Sequence, residues 1–108
     1  MGRGGYLGDF EQLVLLAVAR LDLETYGMEI RREIEERTGR QVAIGAVYAT
    51  LDRLETKGFV VGRHAEGGGR ARRFFAMTPD GVTALEASRD IQMRMWSGLR
   101  LRKAGRKS

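Results

Sequence analysis

Apolar positions along the chain fall into stretches separated by glycine or by short polar breaks. In "DFEQLVLLAVARL", residues 9–21, they run almost without interruption from Leu13 to Ala19. A run of that length predicts a helix covered over most of its circumference, the central helix of a small domain. Asp9, with Gln12 three residues on, resembles a capping box and is expected to open it. "TYGMEIRREIEERTG", residues 25–39, predicts a second helix. Thr25 is its expected cap, Ile30 and Ile34 face the core four residues apart, and Gly39 supplies the left-handed stop. Its other face is charged, with Arg31 and Glu35, and Arg32 and Glu36, spaced as helical neighbours.

A third helix is predicted from about residue 44 to Lys57, with Val47, Leu51 and Leu54 as its core stripe and Gly58 ending it. "FVVGRHAE" and "RRFFAMT" are rich in β-branched and aromatic residues and flank "GGGR", which predicts a two-stranded hairpin with a flexible tip. In "TPDG", Thr78 caps a fourth helix and Pro79 takes its first position, where a missing N–H costs nothing. That helix is expected to reach about Leu101.

Three helices, a hairpin and a last helix read as mainly α with a small β-hairpin: a winged helix-turn-helix followed by a C-terminal dimerisation helix. Residues 1–8 are expected to be a flexible arm, 9–78 the winged unit, and 79–108 the dimerisation helix with a basic tail. The dimerisation reading rests on a seam in the last helix. Leu85, Gln92 and Leu99 recur every seven residues, as do Ser88 and Met95, and Val82 and Trp96 flank the same stripe. Gln92 in mid-seam would set register.

With 108 residues the chain forms one domain and a modest core. No cysteine is present, so disulfides and thiolate metal sites are excluded. No apolar run reaches membrane-spanning length, and a cytosolic protein with no membrane partner is expected. The net charge is +5, and the cations are 16 Arg against 3 Lys. Arginine's planar fork pairs with phosphate and with guanine edges, so the balance permits a nucleic-acid partner.

In a helix-turn-helix the second helix of the motif enters the major groove. Here that is the third helix of the chain. Opposite its core stripe lie Gly45, Ala46, Tyr48, Ala49, Thr50 and Arg53, with Gln41 just before it. The small residues permit close approach, Tyr48 and Thr50 can contact phosphate or base, Arg53 can reach phosphate, and Gln41 can read adenine. The same surface would serve any solvent-facing helix, and by itself it decides nothing. "HAEGGGRARRFF" tips the balance. A glycine tip can approach the DNA backbone or minor groove while Arg70, Arg72 and Arg73, with Arg63 and His64 across the hairpin, neutralise phosphates. Strand alternation places Arg72 on the side of Phe74 and Arg73 on the side of Phe75, so one of the two arginines lies nearer the protein body.

The segments "LGDFEQLVLLA", "YGMEIRREIEERTG", "GAVYATLDRLETKGFV" and "GRARRFFAMTPDG", in this order and spacing over about residues 7–88, resemble the PadR family of bacterial transcriptional regulators. The single C-terminal helix is similar to the short branch of that family. The resemblance implies a homodimeric winged-helix repressor bound to double-stranded DNA, with the last helix paired to its partner's. Tyr48 matches the tyrosine of the family's recognition helix. Many members have proline where this chain has Ala49, serine where it has Ala43, and tyrosine where it has Phe75. A missing Ser cap weakens a helix start by about 1 kcal/mol. Some members bind flat aromatic drugs between the tryptophans of two subunits, which makes Met93 and Trp96 candidate ligand residues for a small aromatic effector. An interface anchor is the plainer role for Trp96.

Catalysis finds no support. His64 is the only histidine, so neither a triad nor a histidine metal site can form. Glu33, Glu35 and Glu36 look like a carboxylate cluster, but Glu33 and Glu36 lie on a charged, solvated helix face beside Arg31 and Arg32, and "GGGR" lacks the ending of a phosphate loop. No enzyme and no cofactor are expected. The remaining alternative is a winged-helix module that binds protein or coats DNA without sequence choice.

Overall fold

The structure is a computed structural model describing residues 7–67 and 70–102, with residues 67, 70 and 71 as backbone alone. The chain runs α1 (Asp9–Leu21), β1 (Thr25–Tyr26), α2 (Gly27–Thr38), α3 (Ile44–Thr56), β2 (Val60–Gly67), β3 (Arg70–Met77) and α4 (Pro79–Trp96). The three strands form one antiparallel sheet in the order β1-β3-β2. This is a winged helix-turn-helix, mainly helical, with a sheet one strand larger than expected.

The core is built where periodicity places it. Val14, Leu15 and Val18 of α1, Ile30 and Ile34 of α2, and Val47, Leu51 and Leu54 of α3 are all buried. Phe75 closes the core from the sheet side, with no exposed surface at all. Gly39 and Gly58 end α2 and α3 with φ of +75° and +84°, the left-handed conformation for which glycine is suited. At α4, Thr78 Oγ1 accepts from the Gly81 N–H at 3.0 Å and donates to the Gly58 carbonyl at 2.6 Å.

Four expectations are corrected. Thr25 does not cap α2: it is fully buried in β1, paired with Phe75, and its hydroxyl donates to Glu29 at 2.7 Å. A β-branched residue opposite a phenylalanine makes a favourable cross-strand pair. Tyr26 takes the cap position without a side-chain hydrogen bond. At α1 the cap is Gly8 rather than Asp9, and the partner three residues on is Glu11. Among the described residues Arg32 has no ion-pair partner; the helical pairs of α2 are Arg31–Glu35 at 3.3 Å and Arg37–Glu33 at 2.7 Å. Lastly, α4 stops at Trp96, short of Leu101, because the chain turns out at Ser97 and Gly98 adopts φ +74°. The expected arm at 1–8, the tip glycines Gly68 and Gly69, and the tail from 103 lie wholly or mostly outside the described residues.

Glu11 is the polar joint of this fold. It is 6% exposed, yet it is a carboxylate. It accepts from the Gly8 N–H at 2.9 Å and from Lys57 Nζ at 2.9 and 3.1 Å, and Arg53 Nε lies 3.4 Å away. Burial alone would raise its pKa; the Gly8 N–H, Lys57 and Arg53 together outweigh burial and hold it below the ordinary 4.5. The start of α1 and the end of α3 are thereby locked together.

Two predictions arise here. A Cβ at Gly81 would overlap the Phe59 backbone carbonyl, which cannot move aside. Gly81→Ala should therefore cost about 2 kcal/mol in urea unfolding. Because Glu11 has a folded pKa below its unfolded one, its stabilisation is complete above about 4.5 and disappears as pH falls through the folded value. Glu11→Gln should lose about 2 kcal/mol at neutral pH and show a shallower acid slope than the parent, read by unfolding at a series of pH values. Parallel slopes would remove Glu11 from the acid response.

Candidate nucleic-acid interface

The leading half of α3 carries no charge from Gln41 to Leu51. Gln41, Gly45, Ala46 and Ala49 are exposed, so their shared surface is smooth backbone and methyl. Ala43 caps the helix without a side-chain hydrogen bond. The turn into α3 is fixed instead by Glu35, whose Oε2 accepts from the Val42 N–H at 2.9 Å and from Arg31. Those bonds, with the Val42 N–H foremost, hold the Glu35 pKa below its usual value.

Tyr48, Thr50 and Arg53 do not stand on this surface as the helical wheel implied. Thr50 is 1% exposed and accepts from Arg53 Nη2 at 3.1 Å. It lies about 100° around the helix from Ala49, and that rotation carries it onto the core. Thr50 is thus withdrawn as a DNA contact. Arg53 is exposed but turned toward α1 by Glu11 and Thr50. Tyr48 is half-buried and packs on the core, with its phenol laid across Gly27.

The described part of the wing is braced by its arginines. Pairing continues to the Gly67–Arg70 step at its end. Phe75 faces inward, so Arg73 is the arginine nearer the body: it stacks on the Phe75 ring at 4.9 Å and reaches Asp52 at 3.0 Å and Glu55 at 3.4 Å. On the outer face Arg63 lies over Phe74 and grips Glu24 with two bonds of 2.5 and 2.6 Å. Hydrogen bonding to Arg63 pulls the Glu24 pKa down, and Glu24 raises that of Arg63. Phe74 meets Tyr26 edge to face at 5.9 Å, and the Arg72 guanidinium lies 4.8 Å over the Tyr26 ring. Among the described residues no carboxylate pairs with Arg72. The side chain of Arg70 lies outside the described residues, and His64 is exposed.

Sequence reasoning missed Glu11, Glu24, Tyr26 and Gly27. Only the Gly8–Glu11 spacing carried a signal, the capping pattern one residue upstream of the one chosen. Glu24 and Tyr26 act across β1, a two-residue strand with no periodicity to find.

The stripe expected as the dimer seam lies partly along a groove of this chain. Val82, Leu85, Gln92, Met93 and Trp96 line one side of an open groove of about 530 Å³, faced by Gln12, Leu16 and Ala19 of α1. Met95 is off this face at 76% exposed, and Leu99 follows the helix end. A strict seven-residue count selected Met95 and Leu99; the groove follows the 3.6-residue period of an unsupercoiled helix.

The model of the Transcriptional regulator PadR-like family matches residues 15–87, more than half of the chain. A Mycobacterium tuberculosis (strain ATCC 25618 / H37Rv) protein, Transcriptional regulator Rv3488, is 40% identical over 68 residues, covering 63% of this chain and 63% of that protein. Among solved structures, RosR of H. salinarum superposes with a TM-score of 0.67 at 28% identity over 87% of this chain and 81% of that one. A PadR family transcriptional regulator from Eggerthella lenta DSM 2243 gives 0.70 at 22% identity over 81% and 77%, a likeness of fold. No helix among the described residues is long and apolar enough to cross a membrane. The chain belongs to the PadR-like family of transcriptional regulators, whose members are DNA-binding regulators and not enzymes.

Proposed function

We propose that this protein is a cytoplasmic, homodimeric repressor that binds an inverted-repeat operator. One observation carries the DNA side: the uncharged, exposed, nearly side-chain-free leading face of α3. Gly45, Ala46 and Ala49 admit the major groove, with Gln41 at the rim for a base or phosphate and Tyr48 offering its hydroxyl alongside. In the wing Arg72 contacts backbone phosphate, together with Arg70. Arg63 and Arg73 shape the wing and contribute charge from their carboxylate pairs, and Arg53 supports α3 from behind. Residues 9–78 are then the DNA-binding unit and 79–108 the dimerisation segment.

The dimer is supported by α4. Every residue from Arg89 to Trp96 is exposed, and the molecule is drawn out to 62 × 34 × 20 Å. Helices of this length hold together mainly by packing an apolar face. Met93 and Trp96, at 61% and 52% exposed, are left uncovered by the described residues of their own chain, and Leu16 on α1 lines the same groove. A second copy crossing at the groove would cover Leu85, Gln92, Met93 and Trp96. Two α3 helices would then meet half-sites about one DNA turn apart. The apolar groove walls also suit a flat aromatic effector against Met93 and Trp96.

Fluorescence anisotropy on a duplex from upstream of the chain's own gene and on a scrambled duplex, at several salt concentrations, tests the first half. Binding to the native duplex should be markedly tighter. Arg72→Ala should reduce the salt slope by about 1, and Arg73→Ala by less, since Asp52 and Glu55 already engage that side chain. Equal binding to both duplexes would replace the repressor with a DNA-coating protein. The sole tryptophan tests the second half. Trp96 emission should shift to the red on dilution in step with dimer dissociation by sedimentation, and flat aromatic compounds should quench it. Emission that is constant in both titrations would take Trp96 out of interface and effector site alike.

A further inference from the structure

Gly27 opens α2 with a backbone conformation that any residue adopts; its φ is not among the positive values. Alanine is the better helix former, so nothing local asks for glycine here. Tyr48 does. A Cβ on residue 27 would lie 2.5 Å from Cζ of Tyr48, 2.6 Å from Oη and 2.9 Å from Cε1. No ordinary contact is that short, and the backbone of a packed helix start moves less readily than a phenol. The bare Cα of Gly27 is therefore a seat for the Tyr48 ring. One residue earlier, Tyr26 carries the Arg72 guanidinium on its face. The recognition-helix phenol and the wing arginine thus rest on two consecutive residues where β1 passes into α2.

We propose that Gly27 is a positioning residue for DNA recognition: by lacking a side chain it sets the place of the Tyr48 hydroxyl, and the Tyr26–Gly27 pair fixes the spacing between that hydroxyl and Arg72. The inference rests on the reading of α3 and the wing as the DNA-binding surface. A methyl group at 27 displaces the phenol outward, toward the exposed Gly45 side of α3, and spoils its alignment with the wing. The fold itself survives, because the ring tip is free to move and the core beneath is unchanged.

The experiment is a double-mutant cycle on the full chain: parent, Gly27→Ala, Tyr48→Ala and the two together, each checked for helix content by circular dichroism. Affinity for the upstream duplex is read by anisotropy. Gly27→Ala should weaken binding about tenfold while Tyr48 is present, the scale of one lost polar contact at a DNA interface. In the Tyr48→Ala background it should cost less than about twofold, since there is no ring to displace. An equal loss in both backgrounds would make Gly27 a merely structural glycine and overturn the proposal, as would no loss in either. A DNA-free readout separates the two layers. The parent should show a nuclear Overhauser contact between the Gly27 α-protons and the Tyr48 ring. Its absence in a parent that binds DNA overturns the seat alone. A parent that shows the contact and binds no duplex overturns the DNA reading, and the positioning role with it.

Discussion

Glu11 joins the two helices whose relation matters most. A helix held only by one apolar stripe, as α3 is by Val47, Leu51 and Leu54, can roll about its axis at modest cost in buried area. Directional bonds remove that freedom. At the far end of α3 the Glu11 carboxylate takes Lys57 and Arg53, and it is itself fixed by the Gly8 N–H. At the near end Glu35 takes the Val42 N–H, and Tyr48 lies on Gly27. The consequence is that Gly45, Ala46 and Ala49, and not Thr50, face outward. A buried carboxylate is costly without partners, so this joint holds only while its cations are in place.

The wing depends on the register of β3. Two adjacent phenylalanines leave a choice of which faces the core, and a slip by one residue exchanges every side chain between faces. The short strand β1 makes the choice. Its Thr25–Tyr26 pairing places Phe75 opposite Thr25 inside and leaves Phe74 to meet Tyr26 outside. Arg73 then faces α3 and its acids, and Arg72 faces solvent on Tyr26.

The helices were legible because they carry their own periods, and α2 and α3 their own stops. Ile30 and Ile34, Val47, Leu51 and Leu54, and the Gly39 and Gly58 stops follow from local sequence, and the family resemblance followed from their order. What could not be read depends on the third dimension. β1 is two residues long and exists only through its partner strand. Thr50 is the exception: three residues after Val47 and four before Leu54, it shares the core side of α3 by spacing alone. The use of Gly27 is invisible without Tyr48, which is 21 positions away. In α4 the seven-residue spacing pointed past the helix end to Leu99, while the groove residues follow the period of a straight helix.

Net charge pointed to the proposed partner class for an incomplete reason. The count of arginines treats each as a phosphate hand, yet the described wing spends Arg63 on Glu24 and Arg73 on Asp52 and Glu55. Such exposed pairs add little stability. Their effect is geometric: a planar fork on two carboxylate oxygens, laid over an aromatic ring, fixes a strand relative to a helix. On the proposed reading, a wing built this way would approach DNA with a set shape and with much of its charge already paired, so less of its binding would come from counterion release and more from fit. That distinction separates a regulator that selects an operator from a basic hairpin that holds any duplex, and it resides in Glu24, Asp52 and Glu55 as much as in the arginines.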